Sequence, residues 1–108
     1  MKLNDKYYNQ IKNESKTVEL RLYDDKRKSL KKNDIIQFKN KLNDESITTN
    51  IDELIIFESF KNALEKVGVE KCIPCSALED AVKIYEKIYK EKYRTNKVIA
   101  IFIRKVNL

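Results

Sequence analysis

The residues best suited to chemistry are two bases and an acid that stand close together in the run SKTVELRLY at positions 15–23. Residues 17–23 alternate between polar and apolar types, which predicts a half-buried strand. Glu19 and Arg21 then lie on one face with their bases about 7 Å apart. On open surface such a pair contributes only about 0–1 kcal/mol. In a cleft, Lys16 and Arg21 would keep Glu19 ionised and hold a phosphate or carbonyl, while the carboxylate accepts hydrogen bonds from a base edge or an amine.

Three further features could contact an anionic or aromatic ligand. Tyr23 ends the polar face of the strand, and the following turn contains the basic run KRKSLKK at 26–32, which begins with Lys26 and Arg27. This turn is either an ordinary solvated turn or an edge that contacts phosphates. Tyrosines recur at 85, 89 and 93 on one predicted helix face. They are expected to pack against the sheet, with Tyr93, the more exposed, as the candidate for base stacking.

Cysteine and histidine usage excludes several enzyme classes. Cys72 and Cys75 form a C-x-x-C motif, but the chain has no other cysteine and no histidine. Histidine-dependent nucleophiles and a four-ligand zinc site are therefore excluded, and we predict neither a metal nor a cofactor. The motif precedes a predicted helix, so it is either a redox pair or, as we favour, two reduced thiols in a cytosolic loop.

Length and composition indicate one domain over residues 1–108. Hydrophobic residues make up 42% of the chain, which argues against disorder. No apolar run approaches the roughly 20 residues of a membrane span, and the N-terminus lacks the apolar core of a signal peptide. We therefore predict a cytoplasmic protein without a membrane partner. The net charge of +6 is compatible with an anionic partner, although the excess is moderate.

Hydrophobic periodicity predicts a mixed α+β domain with the element order α-β-β-β-α-α-β. The predicted elements are helix 5–13, strand 17–23, strand 34–38, one or two strands within 46–57, helix 60–67, helix 77–93 and a central strand at 97–106. Asp5 and Ser59 are the predicted N-caps of the first two helices, and Gly68 ends the second. Ser76 and Glu79 have the spacing of a capping box for the third helix.

The runs at residues 15–23 and 32–38 together resemble the ASCH domain family, which belongs to the PUA-like superfamily of RNA-associated β-barrels. The family pattern is G-x-K-x-x-x-x-R, often with Glu two residues before the Arg, followed by a strand G-D-x-I-x-F. The matching residues are Lys16, Glu19, Arg21, Asp34, Ile36 and Phe38. Glu14 and Asn33 replace the two glycines. The runs FESF at 57–60, YEKIY at 85–89 and KVIAIFI at 97–103 extend the resemblance over nearly the whole chain.

The resemblance implies an α+β fold, a PUA-like mixed β-barrel with flanking helices. It also implies that the first barrel strand lines a cleft. The favoured function is binding of RNA or a nucleotide-like ligand there, by a monomer. The candidate ligand-binding residues are Lys16, Glu19, Arg21, Tyr23, Lys26, Arg27 and Tyr93.

Two other functions stay open. The first is a small hydrolase acting on RNA or on a modified nucleoside, with Lys16 and Glu19 as the catalytic candidates. Family members that hydrolyse N4-acylated cytidine carry a Thr nucleophile where this chain has Glu19, and Thr17 lies too near Lys16 to replace it, so that mechanism is disfavoured. The second is a protein-interaction module with a vestigial cleft.

Overall fold

The computed structural model describes residues 1–106, which form five strands, four α-helices and one 3₁₀ segment. In chain order these are β1 (Lys2–Leu3), α1 (Asp5–Lys12), β2 (Val18–Leu22), β3 (Ile35–Asn40), β4 (Ser46–Phe57), α2 (Phe60–Val67), α3 (Val69–Cys72), α4 (Leu78–Tyr89), the 3₁₀ segment Lys90–Arg94 and β5 (Val98–Lys105). None of the helices within residues 1–106 is long and apolar enough to cross a bilayer.

The strands form one mixed sheet in the order β1-β3-β4-β5-β2. Only β1 and β3 are parallel, and the other neighbours are antiparallel. The sheet curls into half of a barrel with helices packed around it, which confirms the predicted α+β class and PUA-like architecture.

The strand β5 lies between β4 and β2, as its continuous apolar run predicted. Its side chains alternate between two core clusters. Val98 and Ala100 pack with α2 and α4, whereas Ile99, Ile101 and Ile103 pack with α1 and β3. Both faces of the strand are therefore buried, which explains why it lacks an alternating pattern.

The strand β2 departs from the predicted half-buried pattern. Val18, Leu20 and Leu22 are buried in the first cluster, as expected. Glu19, however, is only 4% exposed and lies opposite Ile101, on the inner side of the curled sheet. Alternation of polar and apolar residues did not signal exposure here, because neighbouring charges compensate the buried carboxylate.

The helix boundaries are partly as predicted. The hydroxyl of Ser59 accepts a hydrogen bond from the backbone N–H of Asn62, and Gly68, with φ of +104°, ends α2. The residue that precedes α1 is Asn4, so Asp5 is its first residue and not its cap.

The last helix differs from the prediction at both ends. Ala77 precedes α4 and no side chain caps it, so the predicted capping box of Ser76 and Glu79 does not form. The helix ends at Tyr89, short of the predicted residue 93, because Lys90 adopts a φ of +52° and the chain continues as a 3₁₀ turn. The strand β1 and the helix α3 were not predicted, since two and four residues are too short to show a period.

Candidate ligand-binding cleft

The three motif residues meet in one buried ion network centred on Glu19. One carboxylate oxygen, Oε1, lies 3.2 Å from Nζ of Lys16. The other, Oε2, lies 2.8 Å from Nη2 and 3.0 Å from Nε of Arg21. The side chains of Lys16 and Glu19 are 2% and 6% exposed, and that of Arg21 is 16% exposed. The carboxylate is therefore held between two cations away from bulk water.

The ammonium group of Lys16 is fully occupied by the protein. In addition to its contact with Glu19, it donates hydrogen bonds to the carbonyl oxygens of Val18 at 2.8 Å and Cys72 at 2.6 Å. A lysine has three protons to donate, so none remains for a ligand. Lys16 consequently acts on any ligand through Glu19.

Arg21 connects the two edge strands of the sheet. Its Nη2 donates to the carbonyl oxygen of Lys2 at 3.1 Å, which joins β2 to β1 although they stand at opposite ends of the strand order. Its Nη1 forms no hydrogen bond within residues 1–106. The guanidinium is therefore fixed in position and keeps two N–H donors free.

The electrostatics of the network keep Glu19 ionised. Burial alone would raise the pKa of Glu19, but the charges and hydrogen bonds of Lys16 and Arg21 outweigh it and place that pKa below its usual value. The pKa of Arg21 is raised, since attraction to Glu19 outweighs the effect of burial. A carboxylate with a lowered pKa is a weak general base at neutral pH.

The network forms one side of a cleft with a volume of about 140 Å³. Tyrosines and aliphatic side chains, among them Tyr7, Tyr85 and Tyr89, supply much of the lining. The exposed residues Lys2 and Lys41 also line it, and Glu19 is the one carboxylate among its lining residues within 1–106. The cleft is thus cationic, with aromatic walls.

Two of these tyrosines are held by packing on Phe60. The Tyr85 ring stacks on Phe60 with centroids 4.7 Å apart, and the Tyr89 ring stacks at 5.4 Å. Burial raises the pKa of Tyr85 well above its usual value, so its hydroxyl stays protonated. The sequence predicted packing for both tyrosines, although their four-residue spacing is also compatible with a shared role in the cleft.

Four predicted ligand-binding residues do not line the cleft. Tyr23 packs against the second core cluster, and Lys26 is exposed. The guanidinium of Arg27 is paired with Asp24 at 2.9 Å. Tyr93 packs against the first core cluster, outside the cleft lining. The lining residues Tyr7, Lys2, Asn4 and Lys41 were missed, because nothing in the local sequence shows that β1, α1 and the β3–β4 turn meet β2.

The C-x-x-C motif lies beside the ion network, because the carbonyl oxygen of Cys72 accepts a hydrogen bond from Lys16. Both cysteines are free, with Cys72 buried and Cys75 exposed. Burial raises the pKa of Cys72 to about 11. Within residues 1–106, no three His, Cys, Asp or Glu side chains come together as metal ligands.

Comparisons with known proteins give one family and several similar structures. A family model described as "ASCH domain" matches residues 1–107. No curated protein matches the chain. The crystal structure of hypothetical protein PH0355 is 31% identical, with a TM-score of 0.82 over 98% of this chain and 100% of the other.

Two further solved structures share this fold. The solution structure of protein PF0455 from Pyrococcus furiosus is 26% identical, with a TM-score of 0.75 over all of both chains. The crystal structure of the S128A mutant of ZmASCH from Zymomonas mobilis is 16% identical, with a TM-score of 0.68 over all of this chain and 72% of that one. At that identity, the last similarity concerns the fold alone.

Proposed function

The chain belongs to the ASCH domain family, and on that basis we propose that it binds RNA or a nucleoside by taking one nucleobase into the cleft beside Arg21. The observation that carries this proposal is the guanidinium of Arg21, which Glu19 fixes in position while its Nη1 has no hydrogen-bond partner among residues 1–106. A planar cation next to tyrosine rings suits a planar ligand that carries hydrogen-bond acceptors.

The size of the cleft supports a single ring as the enclosed part of the ligand. Its volume is about 140 Å³. A cavity of about 150 Å³ holds one benzene ring, whereas drug-sized ligands occupy about 300–1,000 Å³. The sugar and phosphate would therefore remain outside, where the exposed Lys2 and Lys41 supply positive charge.

The hydrogen-bonding capacity of the network favours an acceptor on the ligand. A carboxylate offers about four lone-pair positions, and Lys16 and Arg21 occupy three of those on Glu19. The free donors belong to Arg21. A ring carbonyl or an unprotonated ring nitrogen meets this requirement, and Glu19 serves mainly to position the guanidinium.

The same features favour binding over hydrolysis. The lowered pKa of Glu19 weakens it as a general base, and Lys16 has no proton to spare for a reacting group. Thr17 is exposed and does not line the cleft. Hydrolysis of N4-acetylcytidine remains the alternative to be measured alongside binding.

The test compares Arg21→Gln with Arg104→Gln. The side chain of Arg104 is 62% exposed and paired with Asp52 on another part of the sheet. Binding of a labelled single-stranded RNA is followed by fluorescence anisotropy, and binding of uridine, cytidine and N4-acetylcytidine by calorimetry. Arg21→Gln should weaken binding by about tenfold or more, since it removes a charged donor. Arg104→Gln should change nucleoside affinity by less than about twofold.

Three results would contradict the proposal: no binding by the wild type, equal effects of the two variants, or rapid turnover of N4-acetylcytidine.

For RNA, the logarithm of the affinity should fall linearly with the logarithm of the salt concentration. The slope should be about 0.7 per phosphate contacted, and we expect few contacts.

A further inference from the structure

The second half of β4 presents an open sheet edge. The neighbouring strand β3 pairs only with residues 46–50 of β4. Beyond the irregularity between Ile51 and Glu53, the segment from Glu53 to Phe57 pairs with β5 alone. Within residues 1–106, its other edge therefore has no strand partner. The N–H of Leu54 donates to Oε1 of Glu53 at 3.2 Å, and the remaining backbone groups of that edge are available for pairing.

The side chains of this segment are unusually exposed for apolar residues. Ile55 and Ile56 are 40% and 47% exposed. Successive residues of a strand point to opposite faces, so both faces are partly exposed at this point, although Leu54 and Phe57 pack against the two core clusters. By contrast, Ile47, which β3 covers, and Ile51, whose backbone is hydrogen-bonded to Asn33 and Asp34 just before β3, are buried. An open edge with exposed apolar side chains is the usual template for adding a strand.

The charges around this edge are arranged as an acidic end and a basic end. Glu53, Ile55 and Phe57 share one face, and the groove beside Phe57 contains Lys66 and Lys71 together with Glu58, which is paired with Lys97. Glu53, Lys66 and Lys71 form no ion pair within residues 1–106. The edge thus offers unpaired charges of both signs on either side of an apolar centre.

We propose that the occupant of this edge is a second copy of the chain, with the two β4 strands antiparallel about a two-fold axis at Ile55. Ile55 then lies opposite the partner's Ile55, and Leu54 opposite the partner's Ile56. Glu53 lies opposite the partner's Phe57, on the face that carries the partner's Lys66 and Lys71. A two-fold axis brings the acidic end of each copy to the basic end of the other, which makes the surface self-complementary.

The proposed pairing has the dimensions of ordinary β-structure. The open segment has five residues, from Glu53 to Phe57, and strands in globular proteins usually have about 5–6. None of its residues lines the ligand cleft. Dimerisation and ligand binding can therefore be tested separately, and failure of one does not imply failure of the other.

The experiment is sedimentation velocity from about 1 µM to about 1 mM protein, a range that covers weak dimers. The wild type should change from monomer to dimer as the concentration rises. Ile55→Lys should raise the dimer dissociation constant at least about tenfold, because pairing would place two ammonium groups face to face. It should leave nucleoside affinity and melting temperature near those of the wild type, since the side chain is exposed.

Two controls distinguish pairing at this edge from nonspecific association through exposed apolar residues. Ile35→Lys replaces another exposed isoleucine, 60% exposed on β3, and should dimerise as the wild type does. Glu53→Lys should weaken the dimer, and adding Lys66→Glu and Lys71→Glu to the same chain should restore it. A wild type that is monomeric throughout, a dimer insensitive to Ile55→Lys, or a charge exchange that restores nothing would overturn the proposed pairing.

Discussion

The ammonium of Lys16 donates a 2.6 Å hydrogen bond to the carbonyl oxygen of Cys72, 56 positions further along the chain. This bond joins the start of β2 to the end of α3, and both of its atoms are buried. Lys16 also neutralises Glu19, which in turn orients Arg21. One buried cation therefore supports the packing of the domain and the geometry of the cleft.

Removing the charge of Lys16 should destabilise the fold. Lys16→Met keeps the length of the side chain but leaves Glu19 buried with one cation fewer. Breaking a buried pair in this way costs about 3–5 kcal/mol. We therefore expect a fall of this size in the free energy of unfolding, measured by urea denaturation at neutral pH. The more exposed pair of Arg104 and Asp52 gives the reference, since Arg104→Gln should cost less than about 1 kcal/mol.

The single variants Lys16→Met and Glu19→Gln and the double variant that combines them form a double-mutant cycle. The double variant should lose less stability than the sum of the two single variants, because removing both charges leaves no unpaired carboxylate. Strict additivity would show that the two side chains act independently, contrary to the geometry.

The pH dependence of stability should reveal the ionised state of Glu19. Its pKa is lowered in the folded protein, so its stabilising contribution is complete above the unfolded value of about 4.5 and is lost as pH falls through the folded value. The difference in free energy of unfolding between the wild type and Glu19→Gln should therefore be constant from about pH 7 to about pH 5. It should shrink only below pH 4.5. A difference that disappears near pH 6 would indicate a raised pKa instead.

Glu14→Gly should stabilise the protein. Glu14 follows the end of α1 with a φ of +68°, in the left-handed region. That conformation costs a non-glycine residue about 1–2 kcal/mol, against about 0.5–1 kcal/mol of extra chain entropy lost by glycine. A net gain of about 0.5–1 kcal/mol should appear as a higher melting temperature.

Two substitutions control for the effect at residue 14. Asn33 has a φ of +75°, but asparagine tolerates this region, so Asn33→Gly should gain less. Glu65→Gly, at an exposed position inside α2, should lose about 1 kcal/mol. A destabilising Glu14→Gly would mean that the glutamate side chain makes a contribution that outweighs its backbone strain.

The two thiols should differ sharply in reactivity. Burial raises the pKa of Cys72 to about 11, whereas Cys75 is exposed. Iodoacetamide at neutral pH should therefore label Cys75 in the native protein and both cysteines after unfolding, as determined by peptide mass spectrometry. Rapid native labelling of Cys72 would revive the redox interpretation of the motif, which requires an accessible thiolate.

Sequence patterns predicted much of the framework, because local periodicity reports which faces are buried. The apolar alternation of Val18, Leu20 and Leu22 placed β2, and the continuous run from Val98 placed β5 inside the sheet. Glu14 and Asn33 both have a left-handed φ, the conformation that glycine adopts readily, at the two positions where the sequence pattern has glycine.

The cleft was only partly predictable, because its lining comes from segments far apart in the chain. The spacing of Lys16, Glu19 and Arg21 indicated that they could act together, and the structure brings them into contact. Their burial depends on α3, α4 and β1 packing over β2, which no local pattern encodes. For the same reason, Lys2 and Tyr7 carried no signal that they line the cleft.

The hydrogen bond from Arg21 to the carbonyl of Lys2 connects β2 to β1, the two edge strands of the half-barrel, through a side chain. The strand β1 has only two residues, and its backbone contacts with the sheet include bonds from the amides of Lys39 and Lys41 to Met1 and Leu3. A strand held by so few bonds should detach by local unfolding far more readily than β5. Hydrogen exchange at the amides of Lys39 and Lys41 therefore reports the detachment of β1 from β3. A ligand held by Arg21 would change that exchange rate without contacting either amide.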